Sequence, residues 1–204
     1  MSAVEQPVAL VLGSASPRRR EILGALGLVF RVVASEVGED REPGEAARSY
    51  VERLAREKAM DVAARVREEL PSAVVLGADT IVVVDGDILG KPTDDAQARE
   101  MIARLAGRAH EVTTAVALVA ASGGGRGAQE STTTRVWFRA LSPAEVARYV
   151  ASGDGRDKAG AYAVQGLGSG LVTRVEGSYS NVVGLPAAET LALLRSVGAV
   201  GNWP

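Results

Sequence analysis

Residues 73–87, AVVLGADTIVVVDGD, decide the architecture. Ala73–Ala78 and Thr80–Val84 are short apolar runs dense in β-branched residues, so they read as strands, and Asp85-Gly86-Asp87 supplies the turn of a hairpin. Upstream, Pro71 ends a helix over Glu45–Leu70, in which Val51, Leu54, Ala55, Val62, Val66 and Leu70 keep a helical period. Before that lie a strand at Val8–Gly13, then a helix that Ser16 caps and Pro17 opens, running to about Leu26. A strand at Leu28–Ala34 and an acidic loop at Ser35–Gly44 follow. Downstream, Thr93–Ala106 is amphipathic, with Ala98, Met101, Ile102 and Leu105 inward. Val112–Ala120 and Thr132–Arg139 read as strands around a glycine-rich connector at 122–128, taken as a hairpin loop without chemistry of its own. Ser142-Pro143 caps a short helix to about Ala151, and a glycine-rich stretch at 153–170 leads to a strand at Leu171–Val175. A last helix covers Ala187–Val197. Strands and helices alternate without strict βαβ order, which predicts an α/β or α+β fold built on a mixed sheet.

Composition narrows the chemistry. The 204 residues suit one domain or two joined lobes, and 47% apolar with 24% charged residues is ordinary globular usage. With 23 basic against 25 acidic residues the formal charge is −2, which argues against a nucleic-acid partner. Absence of cysteine excludes disulfides, a thiolate zinc site and a cysteine nucleophile, and the single histidine, His110, excludes a multi-histidine metal centre. The apolar stretches around 73–84 and 115–121 are interrupted by Asp79 or too short to span a bilayer, and no signal peptide is visible, so a cytoplasmic protein without membrane contact is expected. Any chemistry here falls to carboxylates and cationic side chains, with or without a hard metal ion.

Several segments are candidates for it. Ser14-Ala15-Ser16-Pro17-Arg18-Arg19-Arg20 places three arginines at a helix N-terminus, where the dipole disfavours cations unless an anion such as phosphate joins them; a solvated basic turn, or ion pairs with the acidic 36–45 loop, is the plainer alternative. Asp79, flanked by buried-strand sequence, is costly to bury unless paired or metal-bound, so it is a candidate general base or metal ligand, against a structural aspartate satisfied by backbone or arginine. Gly77 would let a ligand approach the strand closely. Lys58, Lys91 and Lys158 are the only lysines among 23 basic residues; lysine suits phosphate oxygens, although each taken singly reads as a surface residue. His110 reads as structural or rim-lining, and Ser178–Pro186 as a ligand-contacting segment or a capped turn. Walker A, dinucleotide and HExxH motifs are absent.

Taken in order, the motifs resemble the Maf family of nucleoside triphosphate pyrophosphatases. They are Ser14-Ala15-Ser16-Pro17-Arg18-Arg19, Glu39, Arg56-Glu57-Lys58-Ala59, Gly77-Ala78-Asp79-Thr80, Gly90-Lys91-Pro92, His110-Glu111-Val112-Thr113-Thr114, Asp157 to Gly166, and 178–186. The resemblance covers about residues 8–198. It implies a single Maf-like domain over 1–204, an elongated α/β fold whose mixed sheet has flanking helices, and two lobes around one deep central cleft, similar to the inosine triphosphate pyrophosphatases. It also implies hydrolysis of a nucleoside triphosphate to the monophosphate and pyrophosphate, a divalent cation (Mg2+ or Mn2+) and a homodimer. AYAVQG with SYSNVVGLP resembles the dTTP/UTP branch. By the same resemblance Asp79 matches the catalytic base, and Arg18, Thr80 and Gln165 match the base-selectivity positions. Gly155-Arg156 departs from the proline-containing pair of many relatives.

The residue chemistry agrees with that implication. Ser14, Arg18, Arg19, Lys58 and Lys91 would hold the triphosphate, and Glu39 with Asp79 would serve the metal and the attacking water. Gln165 carries both a donor and an acceptor for the edge of a uracil or thymine ring. Competing expectations are the same reaction on another or modified nucleotide, and a nucleotide-binding regulator of cell division with little turnover.

Overall fold

The computed structural model describes residues 4–123 and 127–203. Seven strands form one mixed sheet: β1 (Leu10–Leu12), β2 (Phe30–Val32), β3 (Val74–Val84), β4 (Asp87–Leu89), β5 (Ala109–Ala120), β6 (Ala128–Phe138) and β7 (Val172–Glu176). Their order is β2-β1-β3-β5-β6-β7, with β4 paired to β3. Helices α1 (Pro17–Ala25), α2 (Ala47–Val66), α3 (Asp95–Leu105), α4 (Pro143–Ala151), α5 (Tyr179–Val183) and α6 (Ala187–Ser196) complete the fold. The expected mixed sheet with flanking helices is therefore present.

The chain clusters into two compact units. Unit 1 contains residues up to Asp79, Thr114–Thr132 and the chain from Gly184 onward; unit 2 contains Thr80–Thr113 and Thr133–Val183. In unit 1, β2, β1 and β3 run parallel, with Leu12 opposite both Val32 and Leu76. β1 and the adjoining part of β3 are covered on both faces, which explains their uninterrupted apolar sequence, while the edge strand β2 carries the exposed Arg31 and Val32. Leu10, Leu12, Leu76 and Ala78 join Leu23 of α1 and Leu191 and Leu194 of α6 in one core cluster. The alternate residues of β3 face the other way, where α2 buries Val51, Leu54, Ala55, Ala59, Val62 and Val66. In unit 2, β3 turns into β4 through Asp85 and Gly86, both in the left-handed region, and Val82 pairs with Leu89.

Several boundaries differ from the sequence reading. The two runs flanking Asp79 are a single eleven-residue strand, because a charged residue that finds a partner does not break the ladder. Helix α2 starts at Ala47 rather than Glu45 and ends four residues before Leu70. Strands β5 and β6 extend back to Ala109 and Ala128; residues 124–126 of the connector lie outside the described residues. Ser16 occupies the N-cap of α1 but makes no capping bond; its own N–H instead donates to Ser14 Oγ at 3.3 Å. Ser142 does cap α4, in a full capping box with Glu145. Residues 179–183, within the segment read as either ligand-contacting or a capped turn, form the short helix α5.

Candidate active site

Glycine at 77 creates the site. A Cβ there would stand 2.3 Å from the Ala55 carbonyl oxygen and 2.6 Å from the Ala59 nitrogen, so α2 lies directly against β3 only because that position has no side chain. The sequence reading reserved this space for a ligand; the backbone of α2 occupies it instead. Asp79 lies two residues on, on the same face of β3, and Lys58 precedes Ala59 on α2. The close approach brings Lys58 Nζ to 2.7 Å from Asp79 Oδ1 and 2.6 Å from Glu39 Oε1. Lys58 is buried rather than on the surface. Asp79 is buried too, while the Glu39 side chain is 42% exposed, so the triad opens to solvent on the glutamate side.

Two α2 residues that the sequence reading passed over hold the loop that carries Glu39. Tyr50 Oη donates to the Glu39 carbonyl at 2.6 Å, and Arg53 donates to the Asp40 carbonyl at 3.0 Å. Arg53 also forks onto both oxygens of Glu45 at 2.7 Å, a bidentate pair that ties the acidic loop to the helix and holds the Glu45 carboxyl below its ordinary range. Burial first, then the Asp79 and Glu39 carboxylates, push the Tyr50 phenol upward and keep it a donor. Arg53 falls on the side of α2 that reads as solvated, so periodicity gave no signal for its role.

The three arginines at the start of α1 separate. Arg20 is exposed and Arg18 partly buried. Arg19 turns inward, where it donates to Ser14 Oγ at 3.0 Å, the Ala78 carbonyl at 2.8 Å and the Gly184 carbonyl at 2.9 Å. Burial lowers the Arg19 guanidinium, and the Asp79 and Glu39 carboxylates oppose that shift. Arg19 thus fixes the Ser14 turn to the residue preceding Asp79. In unit 1 the structure brings Ser14, Arg19, Glu39, Lys58 and Asp79 into one connected set, with Arg18 beside Arg19 in the chain.

Thr80, Lys91 and Gln165 belong to unit 2. Lys91 is exposed and lines a depression with Thr93, Gln97 and Arg104. The Gly90 carbonyl next to it accepts the Gly160 N–H at 3.0 Å, which joins the GKP turn to the 159–166 segment. Gln165 is exposed. Lys158 folds back onto its own turn, donating to the Asp154 carbonyl and to Asp157 at 2.6 Å. His110 is buried, not on a rim: its Nε2 lies 2.7 Å from Tyr162 Oη, and its ring packs edge-on to Phe138 and Tyr162. Asn181, fully buried, donates to the Val112 carbonyl and to Thr134 Oγ1, so the 178–186 segment is anchored by its amide.

Among the described residues no group of three or more histidine, cysteine, aspartate or glutamate side chains is placed to hold a metal. Glu39 and Asp79 nevertheless fit a hard divalent ion of the magnesium type, which takes one or two carboxylates and fills its remaining positions with phosphate oxygens and water. The Lys58 ammonium between them shows that this place is built for positive charge.

Two carboxylates converging on one ammonium beside an arginine-bearing turn are the kind of polar centre these residues form, and sequence comparison gives the family. The model of the Maf-like protein family matches residues 9–197, so the chain belongs to the Maf family. A dTTP/UTP pyrophosphatase of Hahella chejuensis (strain KCTC 2396) is 53% identical over 190 residues, covering 93% of this chain and 92% of its own. One of the same name from Myxococcus xanthus (strain DK1622) is 52% identical over 197 residues, covering 95% of each. Likeness to a solved nucleoside-triphosphatase / dITP/XTP pyrophosphatase from Mycobacterium abscessus is partial, at TM-score 0.38 and 17% identity over 64% of this chain and 73% of that one. Among the described residues no helix is long and apolar enough to cross a membrane.

Proposed function

We propose that this chain hydrolyses dTTP and UTP to the nucleoside monophosphate and pyrophosphate, with Asp79 as general base and Glu39 and Asp79 as the carboxylates for a divalent cation. The observation that carries the reading is the Glu39–Lys58–Asp79 triad, in which two carboxylates converge on one buried ammonium. A protein that only bound nucleotide would have no need of a carboxylate held at such cost inside a strand. Relatives about half identical over nearly the whole chain, named dTTP/UTP pyrophosphatase, support the choice of substrate.

In this reading Lys58 engages Oδ1 of Asp79 and leaves Oδ2 to take the proton from the attacking water. The water oxygen bonds to the α-phosphorus as the bond to the bridging oxygen of the pyrophosphate breaks. Arg18 and the N–H groups at the start of α1 receive phosphate oxygens, while Arg19, spent on Ser14, Ala78 and Gly184, contributes fixed positive charge. When bound, Mg2+ or Mn2+ supplies Lewis-acid neutralisation of the phosphate oxygens. Lys91 contributes a further phosphate contact, and Thr80 and Gln165 contribute base selection.

The test is pyrophosphate release from a panel of canonical and modified nucleoside triphosphates, with Mg2+ or Mn2+ and an EDTA control. Metal-dependent release from dTTP and UTP above the others is the expected result. Preference for another base would keep the reaction and overturn the specificity. Nucleotide binding with no release across the panel would make the chain a nucleotide-responsive regulator.

A further inference from the structure

Gln165 lies in a loop, residues 163–168, whose two ends converge on the same pair of side chains. The Ala163 N–H donates to Tyr149 Oη at 3.2 Å. Tyr149 Oη donates to Asp154 Oδ2 at 3.3 Å. The same Asp154 oxygen accepts the Gly168 N–H at 3.3 Å. Tyr149 is on α4, and both it and Ala163 are buried, so the N–H of Ala163 depends on this hydroxyl for its partner.

We infer that Tyr149 and Asp154 are positioning residues for base selection: they fasten the loop at both ends and so set where the Gln165 amide stands. This inference rests on the reading of Gln165 as the base-selecting residue. Neither side chain touches the nucleotide in this account; each acts through the loop backbone.

At the end of the loop, residues 166–170 form a short 3-10 turn, in which Ser169 Oγ donates to the Gly166 carbonyl at 2.7 Å, and the tyrosine–aspartate pair fastens that turn to the rest of the fold. A Cβ at Gly168 would lie 1.9 Å from the Ala163 carbonyl oxygen, so the two ends close together only with glycine there. Gly166, next to Gln165, takes the left-handed conformation at φ 59°. Immediately before the loop, Tyr162 is buried against His110 and Phe138, 5.3 and 4.8 Å between ring centroids. Chain entry is therefore rigid, and Gln165, Gly166 and Leu167 are exposed between two fastened points. Burial pushes the Tyr149 phenol up to about 12, which keeps it a donor to Asp154. An amide that discriminates ring edges needs its donor and acceptor fixed in direction, and the tyrosine–aspartate pair provides that.

Steady-state kinetics with UTP and CTP separate the outcomes, because the two differ at the ring edge an amide would read. Tyr149→Phe keeps the ring and removes the hydroxyl. It is expected to lower the UTP-over-CTP ratio of kcat/KM by about tenfold, through KM for UTP more than through kcat. Asp154→Ala should reproduce that loss and Asp154→Asn, which retains an acceptor, should recover most of it. In a Gln165→Ala background Tyr149→Phe should change the ratio no further. A wild-type ratio in folded Tyr149→Phe, or an equal loss for both nucleotides, overturns the inference. If Tyr149→Phe fails to fold, Asp154→Ala decides by the same ratio. If Gln165→Ala itself leaves the preference intact, the base-reading role of Gln165 fails, a result visible without either clamp variant.

Discussion

Replacing Gly77 by alanine should uncouple the Asp79 carboxylate from its lysine. The new Cβ would stand 2.3 Å from the Ala55 carbonyl oxygen, 2.6 Å from the Ala59 nitrogen and 2.8 Å from the Ala59 Cβ. Two of those atoms are helix backbone, so no rotamer change relieves the overlap. Restoring ordinary contact requires α2 and β3 to separate by about 1 Å. Moving Lys58 with its helix stretches the 2.7 Å bond to Asp79 beyond hydrogen-bonding range. Overpacking of this kind costs about 1–3 kcal/mol, and an ångström of misplacement at a reacting group costs about 10²-fold in rate. The backbone at 77 has an ordinary negative-side conformation, since Gly77 is absent from the positive-φ glycines, so steric overlap alone is being tested. Urea unfolding and kcat for UTP measure the two effects. Gly24→Ala is the control: its Cβ meets nothing within 4 Å, and helix propensity should make it neutral or up to about 1 kcal/mol more stable. A Gly77→Ala protein with wild-type stability and wild-type kcat would refute the claim that the bare contact sets the site.

Further substitutions address the triad and the histidine. Asp79→Asn should abolish turnover while nucleotide binding, followed by calorimetry, largely survives; parallel loss of both would make Asp79 a positioning group. Lys58→Met should cost about 3 kcal/mol in urea unfolding, because it leaves the buried Asp79 carboxylate without its partner. The double variant Lys58→Met/Asp79→Asn should recover part of that loss. Burial drives the His110 imidazole down from 6.5 to about 4, so the folded state holds it neutral. The unfolded chain binds the extra proton between those values, stability therefore rises with pH across that window, and about 3 kcal/mol is lost as pH falls through it. His110→Gln should remove that slope relative to the parent, measured by unfolding at pH 4 and pH 7.

Sequence alone determined the elements wherever periodicity or turn chemistry acts locally. The valine-rich runs around Asp79 made β3, Asp85-Gly86 turned it, and Ser142-Pro143 with Glu145 capped α4. It also singled out Asp79, because a carboxylate inside a buried strand must find a partner. Which partner was beyond it: Lys58 is twenty-one residues away, and the contact depends on Gly77 admitting the α2 backbone, a fact about two elements rather than one. The same holds for Tyr50 and Arg53, whose grip on the Glu39 loop exists only once the loop folds back over α2. Three adjacent arginines looked equivalent in the chain, yet the helical turn sends Arg19 into the interior and Arg20 to solvent. Local sequence fixes a residue's conformation and chemistry, while its neighbours, and so its role, depend on which distant backbones can approach it.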